Sequence, residues 1–142
     1  GRRYAALAEA QPDTGPRLVG LRILGLERFY EGRFRESLAL TDEGLALYDP
    51  ATHLDLRHRF SHDPRAAAMN YRAWNLWHLG FPDQAARTTE ENLRWMDEVD
   101  HPNTTGLVLC FGTMTNIWLR RPALAERQGA GGPHIHRRPP RR

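Results

Sequence analysis

The sequence predicts an all-α fold built from antiparallel helical hairpins. Three observations carry that prediction. Apolar residues recur at spacings of three and four, the repeat of one helix face. Proline, glycine and Asp-Pro steps punctuate those runs where helices would start and stop. No segment alternates apolar and polar residues with the period of two that marks a strand.

Residues 4–10 read as the end of a helix, and residues 11–15 as a turn. Pro16 can occupy the first turn of a new helix, where its missing N–H costs nothing. Residues 18–30 are apolar on most of the helix circumference, which predicts a buried helix. Glu31-Gly32-Arg33 breaks it. Phe34, Leu38, Thr41, Leu45 and Tyr48 then form one stripe of an amphipathic helix. Asp49-Pro50 ends that helix, because the residue before a proline is pushed out of helical geometry. Residues 51–62 are polar and rich in His and Arg, and they predict a long loop with at most one helical turn. At Asp63-Pro64 the carboxylate caps a new helix and the proline takes its first position. Ala66, Met69, Ala73, Leu76 and Gly80 share one face of that helix. Pro82 opens the next, which runs to about Val99. Its buried stripe is Ala85, Thr89, Leu93 and Met96, and its outer face is Arg87, Glu90, Glu91, Arg94 and Asp97. His101-Pro102-Asn103 is a further stop and start. Leu107, Cys110, Phe111, Met114 and Trp118 then predict a sixth helix with that stripe inward, ended by Arg121-Pro122. The Arg-, Pro- and Gly-rich remainder has little to bury and predicts disorder.

The organisation is therefore a truncated helix and turn over residues 1–15, a helical repeat region over residues 16–121, and a tail over residues 122–142. The formal net charge of +3 misleads, because the last 23 residues hold seven arginines against one acid, while the first 119 hold thirteen against sixteen. The body is mildly acidic, so a basic nucleic-acid-binding face is not expected there; the tail offers non-specific contact only. Every Lys/Arg position is arginine. No Gly-rich phosphate loop with its lysine can exist in this chain. One cysteine, no apolar run of membrane-spanning length and no signal segment point to a cytoplasmic location. A chain that starts on Gly1 partway through a helix reads as part of a longer protein.

Two stretches share a layout. Gly32 and Gly80 are 48 residues apart, and each has a small residue seven before it (Gly25, Ala73) and five after it (Ser37, Ala85). Two antiparallel helices approach closely only where both carry small side chains, and a unit this short must stack on neighbours to bury its face. The pattern resembles the tetratricopeptide repeat. With Tyr48-Asp49-Pro50, His53, His62-Asp63-Pro64, His101-Pro102 and above all the Leu79-Gly80-Phe81-Pro82-Asp83-Gln84-Ala85 run, it is similar to the C-terminal repeat arrays of large bacterial signalling proteins. Those join NTPase modules to cyclase or DNA-binding domains. The resemblance implies a tetratricopeptide-like α-solenoid fragment of about two and a half hairpins. Its role would be a non-catalytic scaffold or sensor segment, with any ATPase or cyclase chemistry in other domains.

No residue is assigned a catalytic, cofactor-binding or metal-binding role, and no cofactor is expected. His53, His58 and His62, with Asp55 and Asp63, are the residues a metal-dependent alternative would use. The competing reading is a polar loop in which Asp63 is a helix cap. His134 and His136 lie in the tail. Cys110 reads as a small buried hydrophobe. Trp74, Trp77, Trp95 and Trp118 read as core or as cover between helices. The expected partner is a protein or peptide in a groove formed by the first helix of each hairpin, with Arg22, Arg28, Asn70, Arg72, Asn75 and His78 as its candidate lining. Self-association is expected as well, because the sixth helix ends in Ile117-Trp118-Leu119 with no following helix to cover it. Gly80 is expected to resist substitution through close packing at the hairpin break.

Overall fold

The computed structural model describes residues 14–130, and every regular element in them is helical. The truncated helix expected over residues 4–10, and residues 131–142 with His134 and His136, lie outside the described residues. Thr14–Tyr30 (α1) and Phe34–Leu47 (α2) make the first hairpin. Two single-turn helices follow, Pro50–His53 (α3) and Leu56–Arg59 (α4), where the sequence predicted a loop with at most one turn. Asp49 explains the first of these: its carboxylate accepts from the Ala51 amide at 3.0 Å, so Asp49-Pro50 both stops α2 and starts α3. Pro64–His78 (α5) and Pro82–Val99 (α6) make the second hairpin. Pro102–Trp118 (α7) and Pro122–Gly129 (α8) make a third. No helix among the described residues is long and apolar enough to cross a membrane.

The three hairpin turns close in the same way. Gly32, Gly80 and Arg120 all have positive φ, at 76°, 86° and 55°. In each turn the next amide donates to a carbonyl five residues back: Arg33 to Arg28 at 2.9 Å, Phe81 to Leu76 at 2.8 Å, Arg121 to Asn116 at 2.8 Å. That is the left-handed cap that satisfies the last carbonyls of a helix. Gly80 is needed for this backbone conformation. The packing reason expected for it does not hold, since a Cβ built there meets nothing within 4 Å.

Helix α5 lies at the centre, packed against α1, α2, α6 and α7. It buries Ala66, Ala67, Ala68, Met69, Ala73 and Leu76, and small side chains on this face let its neighbours close in. Polar side chains tie the helices internally. The Asn75 amide donates to Ser37 Oγ at 2.8 Å, and the Asn92 amide donates to Asn70 Oδ1 and the Ala66 carbonyl, both at 2.9 Å. On α6 the buried set includes Ala85, Thr89 and Met96, and the charged face points to solvent as its spacing predicted; Leu93 is half-buried against the core of Ala66, Met96 and Val108.

Two expectations for the C-terminal part fail together. The tail is not irregular from residue 122, because α8 packs on α7. Asn116 donates to Gln128 at 3.0 Å across that contact, and Ala125 is buried in it. The predicted stripe of α7 is also only partly inward: Phe111 and Trp118 are half-buried against the rings of α5, and the fully buried positions lie to one side of it. The residues α7 buries are Thr104, Val108, Gly112, Thr115 and Asn116, while Cys110, Met114 and Ile117 are exposed. Both α6 and α8 close on α7 at Gly112, where an added Cβ would lie 3.5 Å from Thr89 Cγ2 and 3.2 Å from Gln128 Oε1, so small side chains are needed on that side.

Candidate functional site

Helical spacing on three elements assembles one aromatic face. On α1, Phe29 and Tyr30 occupy the last turn; on α5, Tyr71, Trp74 and His78 recur at intervals of three and four; on α7, Phe111, Met114 and Trp118 do the same. Phe29 bridges the first two helices, with its ring centroid 5.5 Å from Tyr71, 5.9 Å from Trp74 and 5.4 Å from His78. Trp74 carries the contact on to α7, stacked on Phe111 at 4.2 Å and tilted against Trp118 at 5.0 Å. Trp77 meets Trp118 at 4.9 Å, and His78 stacks on Phe34 at 4.4 Å. The indole N–H of Trp74 donates to Thr115 Oγ1 at 3.1 Å, which fixes the ring from below. Phe29 is buried in this layer, while Tyr71, Trp74, Trp77, Phe111 and Trp118 are half-buried. Around it the large apolar side chains stand in solvent: Tyr30 is 73% exposed, Ile117 53% and Met114 38%.

Of the six groove positions expected from the sequence, two lie at this face. His78 is exposed and stacked, and Arg22 lines a small cavity with Leu18, Leu26 and Tyr71. The others are elsewhere. Arg28 is buried and held by Glu31 and Glu36. Asn70 and Asn75 are internal braces. Arg72 points to the α2–α6 side, where it pairs with Asp42 at 2.7 Å and donates to Thr88. That side carries a second cleft of about 280 Å³, lined by Asp42, Leu45, Arg65, Met69, Arg72 and Glu91, whose charges neutralise one another through the Arg72–Asp42 and Arg65–Glu91 pairs.

The histidine segment is dispersed rather than convergent. His53 is 3% exposed, and both its ring nitrogens are engaged: Nδ1 accepts from the Asp49 amide at 2.9 Å, and Nε2 lies 2.6 Å from Thr14 Oγ1. His58 is exposed against the His101 ring, and His62 is half-buried near Arg22. Asp63 is a cap and a structural hub. Its carboxylate accepts from the Ala66 amide at 2.9 Å, the Tyr48 hydroxyl at 2.7 Å and the Trp95 indole at 2.8 Å, and its own amide donates to Thr104 Oγ1 at 2.9 Å. Burial and that carboxylate push the Tyr48 phenol well up, so it stays a donor. No group of three His, Cys, Asp or Glu among the described residues is placed to hold a metal.

The expectation for Cys110 fails, whereas the tryptophans do cover contacts between helices. Cys110 is exposed, not buried, because it lies off the side of α7 that packs on α5, α6 and α8. Trp74, Trp77 and Trp118 form the half-open face, whereas Trp95 is bound to Asp63 under the Arg65 guanidinium. The face was not legible because aromatic residues at helical spacing look like core, and because Phe111 and Trp118 share a side of α7 with the buried Thr104, Val108 and Thr115. Comparison of the chain with protein-family models, with curated proteins and with solved structures found no match.

Proposed function

We propose that this chain is a non-catalytic protein-interaction scaffold, a tetratricopeptide-like α-solenoid fragment whose first helices α1, α5 and α7 receive a segment of another protein. The single observation that supports it is the orientation of α7. A helix that buries two threonines, a glycine and an asparagine beside one valine while presenting Cys110, Met114 and Ile117 to solvent leaves an apolar side that a partner could cover. The half-open ring layer on α1 and α5 extends the same surface, and large aromatic side chains with restricted rotamers are good binding anchors. The resemblance of the Leu79–Ala85 run to bacterial repeat arrays supports placing the chain as a scaffold or sensor segment of a larger cytoplasmic signalling protein, with catalysis in other domains. Self-association through the same face is the low-specificity form of this behaviour.

The test is a selection of random peptides displayed on phage against the intact chain and against a Tyr30→Ser/Ile117→Ser variant. Both substituted side chains are mostly exposed, so the variant is expected to fold. Peptides enriched on the intact chain should bind the variant at least tenfold more weakly. No enrichment, or peptides that bind both alike, would contradict the reading.

A further inference from the structure

Among the described residues, partly covered arginines have partners. Arg28 is held by Glu31 and Glu36, Arg65 by Glu91, Arg72 by Asp42, Arg121 by Glu90, and Arg57 donates to the Val99 carbonyl. Arg22 is the exception: it is half-buried, and no ion pair or hydrogen bond to it exists among the described residues. It leaves the middle of α1 among Leu18, Leu26 and Tyr71. Burial is the main influence on it and lowers its pKa, so its charge sits in surroundings that do not compensate it. The charges nearest to it add no acid. Tyr71 and His62 are close by, and His62 in turn lies near His101, which meets the His58 ring. Asp63 faces His62, but its carboxylate is committed to Tyr48, Trp95 and the Ala66 amide. One end of the aromatic face therefore holds a half-buried arginine with no acid paired to it among the described residues. Tyr71 joins the two parts, since it lines the Arg22 cavity and touches both Phe29 and Phe111.

Resting on the scaffold reading, we propose that the occupant of this face is a protein segment carrying an acidic side chain beside large apolar residues, with Arg22 receiving the carboxylate. A carboxylate there makes a charge-assisted, partly desolvated pair and relieves the burial of Arg22. The apolar residues lie over the rings, bordered by Tyr30, Met114 and Ile117. From Arg22 to Phe29 is about 11 Å along the helix at 1.5 Å per residue. The acid should thus fall about three residues from the apolar anchor in an extended segment, or two turns from it in a helical one. Single-stranded nucleic acid also stacks on aromatic rings, but it needs a basic track along its backbone. One arginine on a body with more acids than arginines does not supply one.

The peptides selected on the intact chain decide this. They should be enriched in Asp or Glu at that spacing from Trp, Phe, Tyr or Leu. Changing the peptide acid to its amide should weaken binding about tenfold on the intact chain and hardly at all on Arg22→Gln, with part of the affinity returning on Arg22→Lys. Peptides that need Tyr30 and Ile117 but show no acidic preference, or lose nothing on Arg22→Gln, would overturn the acidic pairing and leave the scaffold standing. Tighter binding of a fluorescein-labelled 15-nucleotide single strand than of any selected peptide would also overturn it. Failure to select any peptide would overturn both.

Discussion

Single residues hold the two features that decide how this chain behaves, its turns and its buried charge. Gly80 has φ 86° in open space, so the penalty for replacing it comes from the backbone. Gly80→Ala should destabilise by about 1–2 kcal/mol, and Gly80→Asn by less, in urea melts. Arg120 shows that the same conformation can be held by a side-chain-bearing residue, and Arg120→Gly should stabilise slightly. Asp63 ties α5 to the end of α2, to α6 and, through its amide, to α7. Asp63→Ala leaves the Tyr48 hydroxyl, the Trp95 indole and the Ala66 amide without their acceptor. A loss of about 3 kcal/mol or more is expected. His62 sets a pH dependence. Burial and Arg22 lower its pKa, so between that value and the ordinary histidine value the unfolded chain binds more protons than the folded one. Stability should therefore fall as pH drops below about 6.5. His62→Gln should remove part of that fall, whereas Glu31 and Asp49, whose pKa values are depressed by their partners, act only below the carboxylate range.

Elements were legible in the sequence where punctuation was chemical. Asp63-Pro64 and Pro82 placed the starts of α5 and α6, and Gly32 and Gly80 placed two turns, because those residues act through φ, capping and a missing N–H. Helix α8 was missed because its start signal, Arg121-Pro122, reads equally as an end, and because only Ala125 is buried in it. Its place was nonetheless encoded: Ala125 follows Arg120 by five residues, as Ala85 follows Gly80. The aromatic face was missed for a different reason. Hydrophobic spacing tells which residues share a side of α7, but not whether that side faces the core, and here the small polar side won the contact with α5, α6 and α8. Of the expected groove lining, Arg22 and His78 border the aromatic face; Arg28, Asn70, Arg72 and Asn75 went to pairs and braces that spacing alone does not reveal. Removing residues 122–142 should uncover Gly112 and Asn116 and lower the melting temperature by several degrees, while removing residues 131–142 should change it little.

At the scale of the molecule, three hairpins closed by the same left-handed turn leave the first helix of each pair on a common aromatic surface, and the account stands on that surface being open. Cys110, exposed on α7 next to Phe111 in sequence, should react with a maleimide in the native state, and a bound peptide should slow that reaction. The most direct measurement compares neighbouring residues on α7. Met114 is 38% exposed and Thr115 only 1%. Melting temperature and affinity for a selected peptide should be measured for Met114→Asp and Thr115→Asp. The account predicts that Met114→Asp melts within about 2 °C of the parent and loses binding, while Thr115→Asp, which buries an unpaired charge, melts more than about 10 °C lower. Collapse of Met114→Asp with a tolerant Thr115→Asp would mean that α7 faces the other way and that the surface is core.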